Sequence, residues 1–260
     1  RLLAGQGRVG DATREYRDIW RSYDSRDVLD DRLPELATRL LDEAREKITA
    51  KGAQLHESDQ ALVFGLKIVK YLHQEIKLLE KKFGIKVVLE QTPAETTAYR
   101  FARLDLKYFS PEAGRFVKGD IAEGAVYYTN STHLNVAAEV SALQKVISEG
   151  AFHEYLEGEA ITHMQLGGEP ADKKNLAAFI KQVFEKSQNR QLDFSPEFTY
   201  CSACDQTAAG LHQSCVHCAS FEVEGIARLT KYYSKISGWN KGKLAELRSR
   251  RVGDNFTGGD

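Results

Sequence analysis

All four cysteines of the chain lie in one short stretch, as two Cys-x-x-Cys pairs. Cys201 and Cys204 form the first pair, and ten residues separate it from the second pair, Cys215 and Cys218. Each pair directs two sulfurs at a common point, so this spacing is typical of a single tetrahedral Zn²⁺ site. The alternatives are a redox pair or two disulfides, but a redox motif needs only one pair. The sequence therefore predicts a four-cysteine zinc ribbon over residues 197–224.

The composition of the chain allows a sizeable buried core. Of its 260 residues, 42% are hydrophobic and 28% are charged, which does not indicate disorder. The net charge of −1 gives no reason to expect a nucleic-acid or membrane surface. No apolar run approaches the roughly 20 residues of a membrane span, and no signal-peptide pattern opens the chain. Cysteines confined to a metal site favour a reducing compartment, so we expect a cytoplasmic protein.

Hydrophobic periodicity predicts helices and strands in alternation between residues 58 and 186. Helices are predicted over residues 58–83, 96–107, 136–150 and 170–186. Strands are predicted over residues 85–90, 125–131 and 160–166. This alternation favours parallel strands joined by helical crossovers, and so an α/β fold. Two further helices are predicted over residues 14–23 and 31–50, and connecting segments over residues 110–124 and 187–196.

A Gly-x-Gly-x-x-Gly pattern lies near the start of the chain, at Gly5, Gly7 and Gly10. Such a pattern cradles a pyrophosphate when it follows a strand within a β-α-β unit. Only four residues precede it here, so the required context is absent and no dinucleotide site is predicted.

A polar turn between a predicted strand and a predicted helix has the composition of an anion site. The turn reads Gln-Thr-Pro-Ala-Glu-Thr-Thr over residues 91–97. A helix N-terminus presents unpaired N–H groups and the positive end of the helix dipole, which attract anions. The same residues also suit an ordinary helix N-cap, and physical arguments alone favour that simpler interpretation.

The segment that follows the cysteines resembles the anaerobic (class III) ribonucleoside-triphosphate reductases. In that family a four-cysteine zinc site precedes an Arg-Val-x-Gly-Tyr loop and a Trp-Asn-x-Gly-Lys segment, which match residues 228–232 and 239–243. A Thr-Pro-Ala-Glu-Ser/Thr-Thr turn and a Tyr-Tyr-Thr-Asn-Ser/His element of the family match residues 92–97 and 127–131. The resemblance extends from about residue 55 to residue 251, whereas residues 1–54 match poorly.

The resemblance implies the C-terminal half of a ten-stranded α/β barrel, with a small zinc ribbon and a C-terminal radical-type loop. Residues 1–196 would form the partial barrel, with residues 1–54 helical. Residues 197–224 would form the ribbon, and residues 225–260 the loop and the tail. The resemblance further implies a homodimer and a missing N-terminal half of the reductase.

The activity implied by the resemblance is the reduction of ribonucleoside triphosphates to deoxyribonucleotides for DNA replication, with ATP binding. A separate activating enzyme, which uses S-adenosylmethionine and an iron–sulfur cluster, makes a glycyl radical that generates a thiyl radical on a cysteine. The resemblance assigns substrate binding to Thr92, Ala94, Glu95, Thr96, Thr97, Asn130 and Ser131.

Two features depart from the family pattern. Lys231 occupies the position of the radical glycine, where a Cβ would block hydrogen abstraction and the planarity that delocalises the spin. All four cysteines lie in the zinc ribbon, so none remains to become a thiyl radical. We therefore expect an incomplete or radical-dead part of a reductase. The alternatives are a non-catalytic zinc-ribbon module that docks an activating enzyme or reductase partner, and a small nucleotide-binding regulator that uses the turn at residues 92–97.

The histidines near these motifs are predicted to be structural. His133 follows the Tyr-Tyr-Thr-Asn-Ser element, and a lone histidine is more often structural than catalytic. His163 and Gln165 alternate on one face of a strand that resembles a His-x-x-Leu-Gly segment of the family. His212 and His217 lie among the cysteines, but four thiolates already complete a zinc site.

Overall fold

The structure is a computed structural model that describes residues 57–250, except residue 93 and residues 169–171. The helices predicted over residues 14–23 and 31–50, and the glycine pattern at residues 5–10, lie outside the described residues. The chain divides into two compact units, residues 1–87 and residues 88–260. Within the described ranges, every helix is too short or too polar to pass through a lipid bilayer.

The described part of the first unit is a long helix, α1, Glu57–Phe83. It confirms the helix expected there, and Gly84 follows it with a φ of 65°, a left-handed conformation that suits glycine after a helix. The prediction of a strand over residues 85–90 is wrong, because these residues pair with no other strand. Their backbone groups are bonded singly instead: Val87 N–H donates to the Glu80 carboxylate at 3.0 Å in the first unit. In the second unit, the Leu89 carbonyl accepts from Gly158 N–H at 2.8 Å.

The second unit combines short strands with four described α-helices. In chain order its elements are α2 Glu95–Phe109, a 3₁₀ turn Glu112–Arg115, β1 Lys118–Asp120, β2 Ala125–Tyr127, α3 Ala142–His153, β3 Thr162–Gly167, α4 Lys173–Lys186, β4 Leu192–Pro196, β5 Phe198–Cys201, β6 Gln206–Ala209, β7 Val223–Arg228, β8 Tyr233–Lys235, a 3₁₀ turn Ile236–Gly238 and α5 Lys241–Ser249.

Strands β3 and β4 form a parallel pair joined by the crossover helix α4. The connection is of the type that the alternation predicts, a parallel pair with a helical crossover, but none of the three predicted strands pairs with another. Helices α3 and α4 cover it with an apolar cluster of Val146, Met164, Phe179 and Val183. Strand β4 lies in the stretch predicted to be a linker, so that prediction is wrong. Its apolar residues Leu192 and Phe194 pack against the cluster, which makes this stretch a strand rather than a connection.

Strand β2 pairs antiparallel with β1, so the expectation of parallel pairing fails there. Strand β1 and a 3₁₀ turn lie within residues 110–124, which were predicted to be a loop. Strand β2 is shorter than predicted, and α3 begins later than predicted because Ser141 and Gln144 form a capping box. The described strands lie in three separate sheets, so the fold is mixed α/β and these residues alone do not close a ten-stranded barrel.

The third sheet has four antiparallel strands in the order β6-β5-β7-β8. Strand β5 ends at the first cysteine, and β7 begins just after the last one. Residues 229–232, which we call the tail loop, connect β7 to β8. Strand β7 follows the cysteines and leads directly into the tail loop, so the cysteine region and the tail loop are attached to one sheet.

Candidate metal centre and tail-docking site

The four cysteine sulfurs meet beyond the end of β5. All four Sγ atoms lie within 4.8 Å of one another. The Sγ atoms of Cys201 and Cys218 are 3.8 Å apart, and those of Cys204 and Cys215 are 3.6 Å apart. A tetrahedral Zn²⁺ at about 2.3 Å from each sulfur places the sulfurs about 3.8 Å apart. The cluster therefore fits a four-thiolate zinc ion, and these separations are too long for disulfide bonds.

The backbone around the cluster favours thiolate at Cys215. The N–H groups of Cys218 and His217 point at its sulfur and lower the pKa of this thiol to about 6. Burial, followed by the neighbouring cysteines, raises the pKa of Cys204 to about 12. Four sulfurs at this separation repel one another when charged, so a cation is needed to hold them all as thiolates.

The two histidines near the cluster take no part in it. Among the described residues, the metal-sized cluster contains only the four cysteines. His212 donates from Nε2 to the Ala209 carbonyl at 2.7 Å. His217 contributes its backbone N–H to the Cys215 sulfur at 3.4 Å. Both observations agree with the prediction that neither imidazole is a zinc ligand.

Two glycines bring the cysteine ribbon against the end of β3, and a buried threonine orders the ribbon itself. A Cβ on Gly168 would lie 2.5 Å from the Gly210 Cα, so the two backbones touch where no side chain fits. Thr199 donates its hydroxyl to the Gly210 carbonyl at 2.7 Å and accepts from His212 N–H at 2.8 Å. The cysteine cluster is therefore fixed to the β3–β4 layer by backbone contacts.

The tail loop docks on the polar turn at residues 91–97. Thr230 donates its backbone N–H and its hydroxyl to Oε1 of Glu95, at 3.2 Å and 2.5 Å. Asn130 joins the same contact, because its Oδ1 accepts from Ala94 N–H at 3.0 Å and its Nδ2 approaches the Thr230 hydroxyl at 3.4 Å. Three expected site residues, Ala94, Glu95 and Asn130, therefore meet around Thr230. Thr230 itself was not predicted, although it lies in the loop matched to the family.

This docking changes the expected roles in the turn. Helix α2 begins at Glu95 without any side-chain cap, so the N-cap interpretation is wrong. The Glu95 carboxylate is engaged by the tail loop. Thr92, Thr96 and Ser131 are exposed, and Thr97 is half-buried. Thr92 donates its hydroxyl to the Glu90 carboxylate at 3.1 Å, outside the contact with Thr230.

Lys231 forms an ion pair at the edge of the same junction. Its Nζ lies 2.5 Å from Oε2 of Glu159, and the two side chains are 33% and 32% exposed. The Glu159 carbonyl also accepts from Gln91 N–H at 2.7 Å, and the Gln91 side chain accepts from Ile161 N–H at 3.0 Å. The tail loop, the polar turn and the segment before β3 are therefore joined at one place. An ion pair this exposed contributes only about 0–1 kcal/mol.

The Trp-Asn-x-Gly-Lys segment positions the tail helix α5. Trp239 donates from its indole to the Ser234 hydroxyl at 2.7 Å, and Asn240 caps the helix by accepting from Lys243 N–H at 2.8 Å. A Cβ on Gly242 would lie 2.3 Å from the Val126 carbonyl, so only glycine lets α5 approach β2 this closely. Lys243 is buried and pairs with Glu246 at 2.9 Å.

A buried carboxylate holds His133, which sequence reasoning treated as a lone histidine. The Glu149 side chain is fully buried and accepts from His133 Nδ1 at 3.2 Å and from Leu134 N–H at 2.9 Å. Burial acts to raise the pKa of Glu149, but the hydrogen bond from His133 and the charge of Lys145 outweigh it, so the pKa is lowered overall. His133 is therefore a partner in a charged cluster.

A family model described as anaerobic ribonucleoside-triphosphate reductase matches residues 39–252. The chain is similar to the anaerobic ribonucleoside-triphosphate reductase of Salmonella typhimurium, with 27% identity over 212 residues. That match covers 76% of this chain and 28% of the relative. The Haemophilus influenzae protein of the same description is 32% identical over 136 residues, which is 52% of this chain and 18% of the relative.

Two solved structures share the fold. One is an anaerobic ribonucleotide reductase, with a TM-score of 0.58 and 19% identity, matched over 74% of this chain and 29% of that chain. The other is the Thermotoga maritima anaerobic ribonucleotide reductase in complex with dATP and CTP, with a TM-score of 0.54 and 18% identity. That match covers 71% of this chain and 28% of the other. The chain thus spans less than a third of the length of these relatives.

Proposed function

The chain belongs to the anaerobic ribonucleoside-triphosphate reductase family, and we propose that it is part of a reductase that converts ribonucleoside triphosphates to deoxyribonucleotides. In this proposal residues 1–196 belong to a ten-stranded barrel, residues 197–224 form the zinc ribbon, and residues 225–260 form the radical-type loop and the tail. The observation that carries the proposal is the docking of Thr230 on Glu95 and Asn130, because it joins the tail loop to the turn expected to bind substrate.

The proposed role of zinc is structural. Cys201, Cys204, Cys215 and Cys218 would hold the ion, which cross-links the end of β5 to the loop before β7. Because β7 leads directly into the tail loop, this cross-link would fix the loop where it meets Glu95. The separations of the sulfurs support this assignment.

In this proposal the nucleotide phosphates bind at the N-terminus of α2. The residues assigned to this site are Thr92, Ala94, Glu95, Thr96, Thr97, Asn130 and Ser131. Ala94 N–H and the Glu95 carboxylate are already bonded within the protein, so they would shape the turn rather than touch a phosphate. The exposed hydroxyl of Thr96 and the N-terminal end of the helix would make direct contact, and Thr92 would do so after its hydroxyl leaves the Glu90 carboxylate. A carboxylate that faced a phosphate would repel it, and the bonds from Thr230 to Glu95 offset that charge locally.

The residues present do not fit a glycyl radical at position 231. Lysine has a Cβ, and Lys231 pairs with Glu159, so no radical step is assigned to this loop. The thiyl cysteine, the rest of the barrel, the second subunit of a homodimer and the activating enzyme that uses S-adenosylmethionine would all be partners supplied from outside these 260 residues.

Calorimetric titration with ribonucleoside triphosphates tests the proposed substrate turn. We expect saturable binding of the zinc-loaded protein that weakens in Thr96→Val, while Thr207→Val, an exposed threonine on β6, serves as the matched control. Absence of any nucleotide binding by correctly folded protein would remove the substrate assignment.

Electron paramagnetic resonance after anaerobic treatment with an activating enzyme tests the radical assignment. We expect no glycyl doublet, and a doublet from this chain would overturn our interpretation of Lys231.

The second candidate function is a non-catalytic zinc-ribbon module that docks an activating enzyme or a reductase partner. The ion pair between Lys231 and Glu159 favours it, since it occupies the position where the family's radical residue would be. Stable, zinc-dependent binding to a reductase partner without nucleotide binding by the turn would select this function over the first.

A further inference from the structure

Strand β6 is an open edge of the four-stranded sheet. It pairs with β5 on one side and with no described strand on the other. Its residues are mostly exposed, in contrast to the half-buried strand β7 in the middle of the sheet. The tail loop follows β7, on the far side of β5 from this edge, so the edge is separate from the contact between the tail loop and the polar turn.

The pairing of β5 with β6 shows which backbone groups face the open edge. Gly210 N–H donates to the Glu197 carbonyl at 2.7 Å, in the same antiparallel register as the rest of the pair. Bonded pairs in such a ladder alternate with pairs whose N–H and C=O groups point outward, so the outward residues are Thr207 and Ala209. The His212 ring donates to the Ala209 carbonyl. The Ala209 N–H and both backbone groups of Thr207 have no partner among the described residues.

The edge lacks the features that normally prevent an exposed strand from pairing with another chain. Such strands are usually protected by lysine, by proline or by a bulge. Two other exposed edge strands follow this rule, since β1 carries Lys118 and β8 carries Lys235. Strand β6 has neither charge nor proline, and its register with β5 is regular. An edge left open in this way favours the addition of an extended strand from another polypeptide.

The surroundings of the edge are acidic. The sequence contains no lysine or arginine between Arg190 and Arg228. Asp205, just before β6, is exposed, and its carboxylate accepts from the Tyr200 hydroxyl at 2.9 Å. Glu222 is a second exposed carboxylate of the ribbon. Two such ribbons placed edge to edge would bring like charges together, so the complementary partner is basic.

The outer face beside the edge suits long basic side chains. Tyr200 lies opposite Thr207, and Phe198 lies opposite Ala209, so these four side chains share one face. Thr207 and Ala209 are small, and both rings are half-buried. Side chains of an added strand would therefore reach the rings across them. Lysine and arginine can cover a ring with their aliphatic stems while the charge approaches Asp205.

We propose that β6 binds an extended segment of a basic polypeptide as a further strand of the sheet. The backbone of that segment pairs with Thr207 and Ala209, and lysine or arginine at alternate positions lies over the rings and beside Asp205. The inference goes beyond nucleotide reduction and does not depend on it. It gives a surface to the docking function named above as the second candidate, but it does not require the partner to be a reductase component.

The test follows the backbone amides of the zinc-loaded protein by ¹H–¹⁵N nuclear magnetic resonance during titration with a synthetic peptide of alternating lysine and valine. We expect saturable shifts at the amides of Thr207 and Ala209. Thr207→Pro removes an outward N–H but no bond to β5, and edge strands tolerate proline at such positions. We expect binding to weaken on the order of tenfold. Thr207→Val keeps the N–H and is the matched control.

A second variant leaves the backbone unchanged. Asp205 has a φ of 56°, a conformation that asparagine also tolerates, so Asp205→Asn removes the charge and keeps the turn. We expect this variant to bind the lysine peptide about threefold more weakly than the parent protein. A peptide of alternating glutamate and valine should bind neither protein.

Three results would overturn the proposal. If the lysine peptide leaves the β6 amides unshifted while the circular dichroism spectrum and the zinc content are those of the folded protein, β6 is not a docking edge. If the glutamate peptide binds as tightly, the charge argument is wrong. If the β6 amides shift with protein concentration alone, a second copy of the chain occupies the edge. None of these readouts involves nucleotide binding at residues 92–97, so failure here is separate from failure of the proposed function.

Discussion

Thr230 donates both its backbone N–H and its hydroxyl to a single carboxylate oxygen of Glu95, a residue 135 positions earlier in the chain. Thr230 is only 7% exposed, so water competes weakly for these bonds. Hydrogen bonds to a charged partner contribute about 1.5–3 kcal/mol each. The contact therefore fixes the tail loop to the start of α2 and sets the position of Lys231.

Removing the hydroxyl of Thr230 tests this contact. We expect Thr230→Val to lower the free energy of unfolding by about 1.5–3 kcal/mol, because the half-buried Glu95 carboxylate loses a donor while the shape of the side chain is kept. Urea unfolding measures the change. Thr96→Val, one residue beyond Glu95 and exposed, should change stability by under about 0.5 kcal/mol. Equal effects of the two substitutions would show that the contact does not hold the loop.

The cysteine cluster predicts one zinc ion for each chain. Removal of the metal by a strong chelator should unfold the ribbon, because four thiolates without a cation repel one another. Elemental analysis should give one equivalent of zinc for the parent protein and much less for Cys215→Ser. Gln213→Ala, an exposed change two residues from Cys215, should keep the full equivalent. Full zinc occupancy in Cys215→Ser would contradict the assigned ligands.

The ion pair of Lys231 with Glu159 should contribute little to stability. Both side chains are about one-third exposed, so solvent screens the pair and a double-mutant cycle with Lys231→Met and Glu159→Gln should give under about 1 kcal/mol of coupling. Chemical denaturation of the four proteins provides the coupling energy. A substantially larger value would mean that the pair, and not Thr230, is the main anchor of the loop.

Two buried histidines should make the protein less stable as the pH falls below about 6.5. Burial lowers the pKa of His153 to about 4 and that of His163 to about 2, against an ordinary value of 6.5. The unfolded chain therefore binds protons first, and the stability present above pH 6.5 is lost as the pH falls from 6.5 towards 4. Each fully titrating group contributes a slope of about 1.4 kcal/mol per pH unit.

A single substitution isolates the contribution of His153. In His153→Gln the slope of the unfolding free energy against pH should be smaller by about 1.4 kcal/mol per pH unit between pH 6.5 and pH 4. This is the slope that the uptake of one proton on unfolding produces. If His153→Gln has the same slope as the parent protein, His153 titrates in the folded state as it does in the unfolded chain.

Close contact between α5 and β2 should make Gly242 intolerant of any side chain. A Cβ there would lie 2.3 Å from the Val126 carbonyl and 2.7 Å from the Tyr99 ring. We expect Gly242→Ala to destabilise the protein by about 1–3 kcal/mol, because α5 must move away from β2. Gly238→Ala is the matched control, since a Cβ at that position would have no atom within 4 Å. Thermal unfolding of the two variants gives the comparison.

The sequence predicted correctly those features that depend on residues close together in the chain. The apolar stripe of α1 and the spacing of the cysteine pairs are each readable within a few turns of chain, and both are present in the structure. The strand predicted over residues 85–90 failed because a short apolar run does not say whether another strand pairs with it. Strand β4 was missed for the converse reason, since its pairing with β3 is decided by packing against α3 and α4.

The sequence by itself determined the family, the four clustered cysteines and the residue that occupies position 231, because these depend on which side chains are present and how they are spaced. Tertiary structure alone decided that Glu95 serves the tail loop, that Asn130 joins Ala94 to Thr230, and that Glu149 orients His133. These partners are separated by 16 to 135 residues. No periodicity extends over such distances, and only the folded backbone brings a donor and an acceptor to within 3 Å or so of each other.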